Sequence, residues 1–188
     1  MIAQEILFAD DFSFMASKEI DRYVTHALCH EGEASFHLAG QPFRMRKGDC
    51  IVITHGELVT DMSVSDDFRV TVLYLLGEYA LKNMPKNDYD VIGKLTLLRN
   101  PVLPLTEHER EVFMEDVNLI KRRYTGTDHH FHDELVGCLT MAFCLDIYDF
   151  HARIYENPQI SKQGAAILTR FIDMLKSGEY VRRSEERR

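Results

Sequence analysis

Residues 31–59 read EGEASFHLAGQPFRMRKGDCIVITHGELV, and their punctuation decides the fold of the first half of the chain. Gly32, then Gly40-Gln41-Pro42, Lys47-Gly48-Asp49 and His55-Gly56-Glu57 interrupt the stretch at short intervals, with the residue types that tight turns require. The pieces between them, ASFHLA, FRMR and CIVIT, are too short for helices and suit strands. Phe43 and Met45 alternate with Arg44 and Arg46, which sends the first pair inward and the two cations outward. Working outward, RYVTHALC (22–29) precedes this stretch, and LVTDMSV (58–64), the turn Ser65-Asp66-Asp67 and FRVTVLYLL (68–76) follow it. Short strands at such regular spacing predict an antiparallel barrel or jelly roll.

The pattern changes after Asn83-Met84-Pro85-Lys86-Asn87. Thr106 and Glu109 form a capping-box signature, and Val112, Phe113, Val117, Ile120 and Tyr124 then share a helical face down to Gly126. A second helix is expected from about His132 to Ile154, before Asn157-Pro158, and a third from about Lys162 to Ser177, before Gly178. Within the second, LVGCLTMAFCLDIYDF is apolar on nearly every side, so it must be covered twice: by its own barrel and by a neighbouring helix or a second chain. The expected fold class is therefore α+β, an antiparallel barrel over residues 1–95, whose hairpin at 31–59 resembles that of cupin domains and so implies a cupin-like jelly roll, and a helical subdomain of about three helices over 96–180.

Composition limits the partners. Thirty Asp and Glu against 22 Lys and Arg give a net charge of -8, the wrong sign for a surface that neutralises phosphates. Cys29, Cys50, Cys138 and Cys144 contain no Cys-x-x-Cys pair and lie in apolar runs, as reduced thiols in a cytoplasmic protein do. No apolar run reaches the ~18 residues expected of a membrane span, and the acidic N-terminus does not match a signal peptide.

The hairpin at 31–59, continued by MSVSDDFRVTVLYL, a linker, and helices ending in ILTRFIDMLKSGEYVRRS, resembles the N-terminal sensing half of AraC-type transcription regulators. The resemblance spans almost the whole chain and rests on the order of elements. It implies that the barrel binds a small effector, that the helices form a homodimer, and that DNA is contacted only through a C-terminal helix-turn-helix module beyond Arg188. Residues 181–188, with Arg182, Arg183, Arg187 and Arg188, would then be the linker to that module. Leu168, Phe171 and Leu175, at helical spacing, are the expected dimer contacts.

Strand parity supplies the effector candidates. Tyr74 shares a face with Val70 and Val72, while Thr71, Leu73 and Leu75 suit the helix-packed side, so Tyr74 is expected to point into the barrel. His26 and Asp61 are the polar residues expected to join it, and a phenol, an imidazole and a carboxylate together would suit a sugar or another polyol. A cupin metal site needs two histidines one residue apart, a nearby Glu and a later His. His37 stands alone, only His55 follows, and His26 and His30 are four apart, so neither a metal nor another cofactor is expected. His129, His130 and His132 cluster near the second helix and read more simply as surface residues. No nucleophile and base stand in a supporting motif, so catalysis is not expected. Two rival readings remain: a free-standing cupin enzyme, and a cyclic-nucleotide sensor, whose phosphate cassette Gly56-Glu57-Leu58 with Arg69 loosely resembles.

Overall fold

The computed structural model describes residues 4–84, 96–97 and 99–155. Among the described residues eight strands, β1 Ile6–Ala9, β2 Tyr23–Glu31, β3 Glu33–Leu38, β4 Gln41–Arg46, β5 Asp49–Ile53, β6 Val59–Val64, β7 Arg69–Leu76 and β8 Val102–Pro104, form two antiparallel sheets. The larger has the order β1-β7-β2-β5-β8, and the smaller β4-β3-β6. They are accompanied by the helices α1 Gly77–Asn83, α2 Glu107–Thr125 and α3 His132–Tyr155. This is the expected α+β arrangement of a cupin-like sandwich and a helical part. The third helix expected at 162–177, with Leu168, Phe171 and Leu175, lies outside the described residues, as does the linker at 181–188.

The turns form for local reasons. Ala39 and Gly40, at φ 50° and 78°, make a two-residue connection between β3 and β4 whose twist matches the paired strands, with Leu38 opposite Gln41. Gln41 and Pro42, expected in the turn, instead begin an edge strand, where proline's missing N–H costs no ladder bond. Gly32, at φ 70°, turns β2 into β3 where a Cβ would come within 2.4 Å of Ser65 Oγ. Met45 is buried and Arg44 and Arg46 exposed, as the alternation requires.

Burial alternates on the smaller sheet, where Ala34, Phe36 and Leu38 are buried, but both faces of the larger sheet are covered. On one face His26, Leu73 and Phe8 lie in register across β2, β7 and β1. The His26 ring meets Phe143 of α3 edge-on at 5.1 Å, and Phe8 lies 6.3 Å from Tyr124 of α2. This is the helix-facing side. The opposite parity, with Thr25, Ile53 and Tyr74, faces away from the helices and toward the barrel interior.

α2 begins with the expected capping box: the Glu109 N–H donates to Thr106 Oγ1 at 3.3 Å and the Thr106 N–H to Glu109 Oε2 at 2.6 Å. α3 packs on α2 through Phe113 and Phe143, whose rings are 5.4 Å apart. It is long and apolar enough to cross a membrane by length and composition, contrary to the sequence expectation. Val136, Phe143, Ile147 and Phe150 are nevertheless buried within this chain, as in the core helix of a globular fold. Short β1, β8 and α1 carry too few residues for a periodic signal and are not legible in the sequence. β8 lies past residue 95, so the large sheet takes its last strand from the segment assigned to the helices. α1 is tied to α3 where Tyr79 donates to Thr140 Oγ1 at 3.2 Å, the Thr140 hydroxyl itself donating to the Val136 carbonyl at 2.9 Å.

Candidate functional site

The inner face of the large sheet is not covered by the small sheet alone. After β1 the chain turns back, and a short 3-10 segment, Ser13–Ala16, lays its side chains against that face. Phe14 meets Tyr74 at 4.9 Å and Tyr23 at 5.3 Å, both edge-on. Phe12 lies 5.3 Å from Phe68, and the Thr25 hydroxyl points at Met15 Sδ from 3.5 Å. Sequence reading missed this segment. Its only signal is three large apolar residues, Phe12, Phe14 and Met15, in a stretch with no period of its own.

Tyr74 is fully buried, as expected of an inward residue, yet its hydroxyl has no hydrogen-bond partner among the described residues. Burial, and secondarily the Asp11 carboxylate, push the phenol above its ordinary pKa, so it is a neutral donor without an acceptor. Leaving such a group unmatched costs about 1–3 kcal/mol, which a stability-optimised core would avoid. The Thr25 hydroxyl beside it has only a thioether, a weak acceptor. The interior therefore offers two poorly satisfied hydroxyls on an aromatic and aliphatic lining.

His26 and Asp61 do not join Tyr74, and their expected inward placement is corrected here. His26 lies one residue off the parity of Thr25, so the pleat turns it to the helix layer. Burial lowers its pKa to about 4, opposed in part by the Leu73 backbone, so it is a neutral core imidazole. Asp61 sits where the β3–β6 register slips, at φ 53°, and the bulge carries its carboxylate to the outer face of the small sheet. There its side chain is 75% exposed and pairs with His37 at 3.3 Å. Together with Ser35, Pro42 and Arg44 it borders an open cleft of about 340 Å³.

The remaining candidates also separate. Glu57 pairs with His55 at 3.1 Å and Arg69 with Glu31 at 3.1 Å, so the phosphate cassette of a cyclic-nucleotide sensor is not assembled. His129 accepts from the Phe131 N–H and His132 contacts Asp133, and among the described residues no group of three or more ligating side chains converges. The cysteines form no disulfide, and Cys138 is exposed whereas Cys29, Cys50 and Cys144 are buried.

The sandwich and the helices beside it can be set against known proteins. The family model of the AraC-like ligand binding domain aligns with residues 9–103, from the end of β1 to β8. The chain belongs to the AraC-like ligand-binding family. The AraC-like domain is also similar in fold to the crystal structure of the AraC-like transcriptional activator CuxR, with a TM-score of 0.52 and 15% identity. That match covers 93% of this chain and 62% of the CuxR chain, so the AraC-like domain corresponds to part of a longer regulator there. No curated protein matches the sequence. The matched residues contain Tyr74 and the 3-10 segment, whereas α2 and α3 lie beyond them.

Proposed function

We propose that this AraC-like domain senses a small polar effector inside its barrel and transmits binding to a DNA-binding module beyond Arg188. The observation that carries the reading is the fully buried Tyr74 hydroxyl without an acceptor, inside the barrel that the family model covers. A hydroxyl-bearing effector such as a sugar or other polyol would accept from Tyr74 and displace the Phe14 and Met15 side chains lying against it. Entry of the effector thereby competes with the protein's own segment. The domain acts by binding, in the cytoplasm and without catalytic turnover.

The same proposal includes a homodimer formed through the helical part. Met141 and Leu145, 39% and 46% exposed, leave an apolar stripe on α3, and Leu168, Phe171 and Leu175 are its proposed companions. The test of the sensing role is a calorimetric screen of sugars, polyols and small hydroxy acids against wild type and Tyr74→Phe. A ligand that binds wild type and loses at least tenfold affinity in the variant supports the reading; a ligand indifferent to Tyr74 places the site elsewhere. Sedimentation velocity of wild type beside Phe171→Glu tests the dimer, and a wild type monomeric at micromolar concentration removes it.

A further inference from the structure

α2 and α3 form an antiparallel hairpin whose apolar contact is interrupted by polar groups at three levels. At the open end Arg153 Nε and Nη2 donate to the Glu109 carboxylate at 2.5 and 2.8 Å, and Nη2 also donates to the Pro104 carbonyl at 3.0 Å. Burial opposes ionisation of Glu109, but the bonds from Arg153 and Thr106 hold its carboxyl below the usual carboxylate range. The other two levels respond to pH differently.

Midway along, the Asp116 carboxyl of α2 faces that of Asp146 on α3, and Asp116 Oδ2 is shielded from water without a hydrogen-bond partner among the described residues. Two carboxyl groups can hydrogen-bond only when one of them holds a proton. Among the described residues Glu115 of the same helix, also acidic, adds to the negative charge around Asp116. Burial first, and then Asp146, raise the Asp116 pKa to about 7.

At the turn end His132, 21% exposed, has an acceptor at each ring nitrogen: Asp133 Oδ1 at 3.0 Å from Nδ1 and the Arg123 carbonyl at 3.1 Å from Nε2. Only the imidazolium donates from both nitrogens at once. Arg123 belongs to the last turn of α2, where cations complement the partial negative charge of unpaired carbonyls. Asp133 raises the His132 pKa most, burial opposes it, and the Tyr124 and Arg123 carbonyls add to the rise.

We infer that the α2–α3 hairpin is a proton-loaded clamp: it closes when Asp116 and Asp146 share a proton and His132 is an imidazolium, and loosens as those protons are lost. The sign is the same at both levels. Each group binds its proton more tightly folded than unfolded, so the stabilisation is present at lower pH and is lost as pH rises through the folded pKa. His26 and His151, lowered by burial to about 4, act in the opposite sense and oppose folding only as pH falls below about 6.5. The window above that value therefore belongs to the clamp, whatever the barrel binds.

The experiment is hydrogen exchange on the 188-residue chain at pH 6.5 and 8.5, corrected for intrinsic rates, beside Asp146→Asn and His132→Gln. The Asn amide can donate to Asp116 in place of the shared proton. Protection of α2 and α3 in wild type should fall about fourfold more over this range than in Asp146→Asn, the response of one site titrating near 7. His132→Gln should blunt the response in peptides spanning the α2–α3 turn. Carbon NMR of the aspartate carboxyls gives an independent reading: one should titrate near neutrality in wild type. Equal pH responses in wild type and both variants, or no aspartate titrating above about 5.5, overturns the clamp. If Asp146→Asn does not fold, the carboxyl titration and His132→Gln decide alone.

Discussion

The two faces of the larger sheet are built from the same strands and serve opposite ends. On the helix-facing side, His26, Leu73 and Phe8 pack against Phe143 and Tyr124, and even the imidazole is kept neutral by its surroundings. On the inner side a short 3-10 segment completes the cover begun by the small sheet, and among the described residues the Tyr74 hydroxyl is unmatched. One face has been closed for stability by two long helices. The other is completed by a segment of one short turn, and an incompletely satisfied interior is where a binding protein keeps its polar groups. Residues one position apart on a strand thus belong to different chemistries.

The largest expected effect lies on the closed face. Phe143 is buried where His26 and Phe113 both meet its ring, so Phe143→Ala should destabilise by about 3–5 kcal/mol in urea titration. A loss below 1 kcal/mol would break the comparison, since the helices would then not be what closes that face. Met15→Ala on the inner face should cost about 2 kcal/mol, the low end for a buried methionine, because a short segment relaxes into the space more readily than two helices do.

Acid sharpens the contrast further. Buried neutral imidazoles bind fewer protons folded than unfolded, so their contribution holds above about pH 6.5 and is lost as pH falls toward about 4. His26→Leu should reduce the fall in the urea midpoint between pH 7 and 4.5 by roughly half, the remainder coming from His151. An unchanged acid limb would mean that His26 is reached by water. The smallest effect belongs to Tyr74→Phe, which removes a hydroxyl without a partner. Its stability should change by less than ~1 kcal/mol, with a gain more readily explained than a loss. A loss above 2 kcal/mol would show that the hydroxyl is already satisfied and that the inner face is as closed as the outer.

Most of the fold was legible because its signals are local. Turns at Gly32, Gly40 and Gly48, the alternation of Phe43, Arg44, Met45 and Arg46, and the Thr106–Glu109 capping box each depend on neighbours within a few residues. The candidate site was only partly legible. Parity placed Tyr74 correctly because β7 is regular, whereas Asp61 was misplaced because a bulge in β6 reverses the side of the sheet to which a residue points. His26 was misplaced for a different reason: a strand buried on both faces gives no polar-apolar alternation from which to choose the inside.

By itself the sequence determined most of the turns, the longer strands and the two long helices, and which family's order of elements they follow. These properties come from backbone preference and hydrophobic period, which act over a few residues. Tertiary structure alone decided which face of β2 is the inside, that Phe14 and Met15 lie in the barrel, and that Asp116 meets Asp146 across two helices. Such meetings join residues far apart in the chain, and only packing of the finished layers brings them within reach of a hydrogen bond or a shared proton.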